Sequence, residues 1–232
     1  LTLQATPYIP QDFDLVLFAK PAETFSETDK LKIDQYVMNG GKVLWFIDES
    51  GASMDSLHQQ PEFFAFDKQV NLEDILFKYG VRINQNLVMD LQSDIVPLVV
   101  GNVGDRPQIQ PIPFPYFPLL MPTKAHPIVK NLDMVLSRFV STIDTIRNDA
   151  VKKTILLTSG RNSKTTRLPA QISWDVVKVQ PNVREYRQSF LPTAVLLEGK
   201  FSSLYTHRQD PVAVKALEQA SRKPFVAADG NK

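Results

Sequence analysis

Two unbroken apolar runs of strand length flank a capped helical segment between Asp14 and Asp48, and a β-α-β unit is the arrangement that satisfies such a pattern. Leu15 to Ala19 and Val43 to Ile47 contain no polar residue, as strands buried on both faces of a parallel sheet require. Between them, Ser26 and Asp29 have the spacing of a capping box, and Ile33, Tyr36 and Val37 share one helical face. Asn39-Gly40-Gly41 supplies a left-handed exit, so a helix is expected over Glu27 to Asn39. A right-handed crossover lays that helix on one sheet face and brings both strand ends, Ala19-Lys20-Pro21 and Asp48-Glu49-Ser50, to the same edge. In an open α/β sheet that edge is where a ligand sits. Lys20, Asp48 and Glu49, joined by Asp90 from the end of a later strand, are therefore the candidate ligand-binding residues.

The rest of the chain is expected to build outward from this unit. Leu1 to Asp12 reads as a lead-in linker with Pro7 and Pro10. A second helix is expected from a cap at Asn71, with Leu72, Ile75, Leu76 and Tyr79 on one face and Gly80 as its stop. Leu87 to Asp90 and Ile95 to Val100 read as further strands of an α/β sheet domain spanning residues 13–105. From Arg106 to Pro122 six prolines alternate with apolar and aromatic residues, which excludes a helix interior or a central strand and fits an edge strand or a polyproline-like segment covering the core. Phe114, Tyr116 and Phe117 within it are candidate interface anchors, with covering the domain's own core as the alternative role. Residues 123–232 carry β-rich runs and, at Asp210 to Ser221, a C-terminal helix, an order that argues for a β-rich continuation of the sheet domain.

Several chemistries lack their residues. The 232-residue chain has no cysteine, which removes a disulfide framework, a thiolate metal site and a cysteine nucleophile. No Gly-x-Ser-x-Gly elbow occurs. Thr158 to Thr165 ends in Lys-Thr after a strand but holds Thr158 and Ser163 where a phosphate loop needs glycine, so it reads as a basic hairpin. His58, His126 and His207 are scattered. No catalytic residue, cofactor or metal site is assigned. With 26 basic against 25 acidic residues, a formal charge of +1, no nucleic-acid partner is implied. No run reaches the roughly 20 apolar residues of a membrane span. The start at Leu1 and the polar end Asp229 to Lys232 suggest a segment of a longer protein.

Several stretches together resemble the gliding-motility ABC-transporter auxiliary protein of the GldG type. They are Asp14 to Pro21 with Phe25-Ser26-Glu27, Tyr36 to Gly41, Leu76 to Asn84, Tyr116 to Leu120, His126 to Leu132 and Leu196 to Ser203. The resemblance runs over nearly the whole chain. It implies an open, mainly parallel α/β sheet similar to that of class I glutamine amidotransferase-like domains, without the amidotransferase activity, because the cysteine is missing. It also implies an inner-membrane protein whose periplasmic region this is, working with the permease and ATPase subunits of an ABC transporter and with other membrane motility components, in gliding and the associated protein secretion. A homo-oligomer is compatible with it. Two functions follow as rival expectations: a non-enzymatic module acting by protein contact, or a component that captures a small ligand at the Lys20, Asp48, Glu49 and Asp90 edge.

Overall fold

A computed structural model describes residues 2–124, 126–208 and 210–227, with the backbone alone at Val103. Leu1 and the polar end Asp229 to Lys232 lie outside them. The elements in chain order are β1 (Val16–Ala19), α1 (Glu27–Met38), β2 (Val43–Phe46), α2 (Met54–Gln59), β3 (Glu62–Ala65), α3 (Glu73–Tyr79), β4 (Val81–Ile83), β5 (Asn86–Asp90), β6 (Ser93–Val103), β7 (Arg106–Pro122), β8 (Val135–Leu136), β9 (Ile143–Thr145), β10 (Val151–Thr158), β11 (Ser163–Arg167), β12 (Ala170–Ser173), β13 (Pro192–Gly199) and α4 (Pro211–Ser221).

The opening unit forms as its sequence demands. β1 and β2 are parallel, with Val16 opposite Val43 and Phe18 opposite Trp45. Ser26 caps α1 by accepting from the Asp29 amide. Gly41 passes so close to the Tyr36 ring that a Cβ there would collide with it, and the Tyr36 hydroxyl donates to the Phe13 carbonyl at 2.7 Å. Val16, Phe18, Val43 and Trp45 face α1 and pack on a core that includes Ile33, Tyr36, Ile75 and Tyr79. Phe18 and Trp45 stack with ring centres 4.4 Å apart.

The expected open parallel sheet does not form around this unit. β1–β2 is the one parallel pair among the described residues; every other pairing is antiparallel. β5 pairs with β11, β3 with β12 and β4 with β9, each as a two-stranded sheet, while β13, β10, β7 and β6 follow one another in a larger sheet with β8 attached to β7. Strand outweighs helix, 36% to 22%, and the sheets curl into a half-barrel, so the molecule is β-rich and not an amidotransferase-like α/β sheet. The physical reason lies in the partners. After β2 the strands that follow find complements far along the chain, such as Leu87 opposite Thr166 and Val81 opposite Thr145, and antiparallel pairing with a distant strand needs no helical crossover.

A second correction concerns burial. The apolar runs of β1 and β2 are covered on one face only. Leu15, Leu17, Leu44 and Phe46 lie on the other and are 50%, 51%, 40% and 53% exposed.

The proline-rich stretch forms a strand, as expected, but one that lies between β6 and β10 in its sheet and not at the sheet edge. β7 forms an antiparallel hairpin with β6, and its end pairs with β8 and then β10. Pro97 stands opposite Pro111. Two residues without amide hydrogens form only a non-hydrogen-bonded pair, so their missing donors face the outer edges of the hairpin. Pro107 and Pro113 share the parity of Pro111 and blunt the same edge of β7.

Candidate functional site

β1 and β2 run parallel, so their C-terminal ends meet. Lys20 follows β1 with a positive φ of 49°, and its ammonium lies 3.1 Å from the Asp48 carboxylate, with Lys68 at 3.9 Å on the same oxygen. The chain then dips. Ser50 bridges Asp67, the Gly51 amide donates to the Phe66 carbonyl, and the Lys68 amide donates to the Glu49 carbonyl, both at 2.9 Å. This short clasp draws Glu49 beneath the surface, where it is 3% exposed. Its carboxyl oxygen Oε1 is buried without a hydrogen-bond partner among the described residues. Burial, then the nearby charges of Asp67 and Glu73, push the Glu49 carboxyl up to about 7.

Glu49 lines an open cleft of about 770 Å³. One wall is α3, which contributes Glu73, Asp74, Phe77 and Lys78; the other is β4 and the residues after it, with Leu204 closing one end. Asp74 is held by Lys30 at 3.0 Å and by Arg208 at 3.3 Å, and Arg82 is held by Asp144 at 2.6 Å. The helix that builds this wall starts differently from the expectation: Leu72, without a side-chain hydrogen bond, is the N-cap, while Asn71 spends its amide on the Phe25 carbonyl.

The four predicted ligand residues therefore divide. Lys20 and Asp48 form a surface ion pair, Glu49 faces the cleft, and Asp90 has a separate set of partners. Asp90 is fully buried and accepts from the Gln92 amide at 2.8 Å, the Gly160 amide at 2.6 Å and the Ser163 hydroxyl at 2.8 Å. It closes the turn between β10 and β11, the stretch expected as a basic hairpin. A side chain at Gly160 would press on the Asp90 carboxylate at 2.9 Å.

The aromatic trio is placed inside. Phe114, Tyr116 and Phe117 are 0%, 4% and 2% exposed and meet Phe139, Leu87 and Ile172 in a second core. In this fold the rings cover the protein's own interior.

Sequence reasoning passed over two buried polar centres. Lys30 is completely buried, with Glu27 at 2.6 Å as well as Asp74. Asp34, also completely buried, accepts from Tyr79 at 3.0 Å, Ser203 at 2.6 Å, the Leu204 amide at 3.0 Å and Gln35 at 3.1 Å. Burial raises its carboxyl against the lowering effect of those donors. No local signal announces this, since Ser203 lies 169 residues away in sequence.

A family model described as an ABC-type uncharacterized transport system matches residues 1–232, the whole of this chain. The chain belongs to that family. This ABC transport auxiliary protein has no match among functionally curated proteins. Among solved structures, the mmIFT52 N-terminal domain is similar at 14% identity with a TM-score of 0.35, over 65% of this chain and 54% of that one. The family is one of auxiliary components of an ABC-type transport system. No helix among the described residues is long and apolar enough to cross a membrane.

Proposed function

We propose that this protein is a non-catalytic module on the periplasmic side of an inner-membrane ABC transporter complex of the gliding-motility type, and that it works by holding other subunits through contact. The observation that carries this reading is the bare face of β1–β2. A parallel pair is stable when both faces are covered, and here α1 covers one while Leu15, Leu17, Leu44 and Phe46 stand half-exposed on the other. Leu17 is opposite Leu44 and Ala19 opposite Phe46, so these side chains form one contiguous patch. Phe13, 44% exposed, precedes them in the same alternation.

The occupant this face fits is an amphipathic helix from a partner subunit of the transport system. Helices are what cover the faces of parallel β-α-β units. Four or five half-exposed side chains make a patch of a few hundred Å², on the order of the largest patch a monomer carries. A stable two-fold interface takes about 800 Å² from each copy, which favours a single helix over a second copy of the chain. The family match supports association with an ABC transport system; permease and ATPase partners and a role in motility and the associated secretion are what the resemblance to the gliding-motility auxiliary protein implies.

The test replaces Leu17 and Phe46 together by aspartate in the full-length protein in its native membrane. The thermal midpoint of this chain should hold while co-purification with the permease and ATPase subunits is lost. Retained co-purification, or a second copy of the chain as the one species captured, contradicts the reading.

A further inference from the structure

The Glu49 carboxyl has one buried oxygen, Oε1, without a hydrogen-bond partner among the described residues. A buried acceptor without a donor is costly, and it persists where something else brings the donor. Because Glu49 lines an open cleft, a cation entering the cleft meets this carboxyl. We infer that the cleft beside Glu49 binds an organic cation: the ammonium or guanidinium head of an alkyl chain, as found at the end of a lysine or arginine side chain.

The surroundings select this class. Asp67 and Glu73 add negative charge near Glu49, and Asp48 precedes it in the chain. The neighbouring positive groups are mostly committed elsewhere: Lys68 to Asp48, Lys30 and Arg208 to Asp74, and Arg82 to Asp144. Lys78 stands on the α3 wall. Phe77, 53% exposed, together with Ile83 and Leu204, gives the cleft an apolar lining along which an alkyl stem can lie while its charged head reaches the carboxylate. A divalent metal would need several converging ligands, and no group of three or more such side chains occurs among the described residues.

Cation binding and proton binding at Glu49 exclude each other. With the carboxyl titrating at about 7, a bound cation displaces a proton at neutral pH, and affinity rises as pH rises through that value. This inference is independent of the contact reading of the β1–β2 face, since the probe is a free small molecule.

The experiment titrates three compounds into the protein and follows them by NMR at pH 8 and pH 6. They are N-acetyl-arginine methylamide, agmatine and the uncharged N-acetyl-norleucine methylamide. The two cations should bind saturably at pH 8 and shift signals of Phe77 and Ile83, with affinity at least several-fold lower at pH 6. Glu49→Gln should weaken both by about tenfold, the loss of one charge-assisted hydrogen bond, and should abolish the pH dependence. Glu73→Gln, at an exposed position, should give a smaller loss and serves as the second variant if Glu49→Gln disturbs the fold. Tighter binding of agmatine would point to free polyamines, and tighter binding of the arginine derivative to a polypeptide side chain. Equal binding of the norleucine compound, or cation affinity unchanged in both variants, overturns the inference. So does an absence of binding by either cation at millimolar concentration.

Discussion

Helix α1 and the outer face of β1–β2 belong to the same β-α-β unit and have opposite relations between polarity and exposure. In α1 every residue from Asp29 to Met38 is buried, charges included. On the sheet face, Leu17 and Phe46 are half in solvent. The helix buries its charges because each has a partner inside the molecule: Lys30 with Glu27 and Asp74, Lys32 with Asp29, and Asp34 with four donors. The sheet exposes its leucines because nothing in the described chain lies over them. Polarity alone therefore does not decide what is inside. Whether a complement exists, and whether it comes from this chain, decides it.

The buried charges of α1 are the positions most sensitive to mutation. Asp34→Ala should cost about 3–5 kcal/mol by chemical denaturation, because it strands the Tyr79 and Ser203 hydroxyls and the Leu204 amide in the interior. A loss below about 1 kcal/mol would mean that water reaches this cluster. On the covered side of the sheet, Trp45→Ala should cost about 3 kcal/mol, near the low end for a core aromatic since Trp45 is partly exposed.

Glu49 is a buried carboxyl without the hydrogen-bond partners that the charges of α1 have among the described residues. Its folded pKa lies near 7 against an ordinary value of 4.5. The folded state thus holds a proton that the unfolded state releases, and stability falls as pH rises from 4.5 through 7. That shift is worth at most on the order of 3 kcal/mol. Glu49→Gln should be more stable than the wild type at pH 8 by up to that amount and equal to it at pH 4, as read from paired denaturation curves. The smallest effect is expected on the bare face. Leu17→Asp with Phe46→Asp should move the stability of this chain by less than about 0.5 kcal/mol per site, and a large loss would place those residues against something internal.

How legible all this was depends on distance along the chain. The cap at Ser26, the parallel pairing of β1 with β2, the left-handed exit of α3 at Gly80 and the C-terminal helix α4 are local, and each stands where its sequence signal put it. The β-rich architecture was not legible, because Leu87 to Asp90 reads the same whether its partner is parallel or is the antiparallel β11, more than 70 residues on. An unbroken apolar run likewise does not say how many of its faces are covered, which is why the second face of β1–β2 was misjudged. Glu49 was legible as a strand-end acid. Its isolation from Asp90 was not, since that depends on the turn at Gly160 closing over Asp90.

On the proposed reading the apolar face of β1–β2 is a contact surface within the transport complex. A photoreactive residue at Leu17, introduced into the full-length protein in native membranes, addresses it directly, with the same residue at Val212 as control. Val212 is apolar and 78% exposed but lies on α4, whose buried residues Val214 and Leu217 pack with Leu31 of α1. A crosslink from position 17 to a permease or ATPase subunit, with none from position 212, is the predicted result. No crosslink from position 17, or equal capture from both positions, would contradict it.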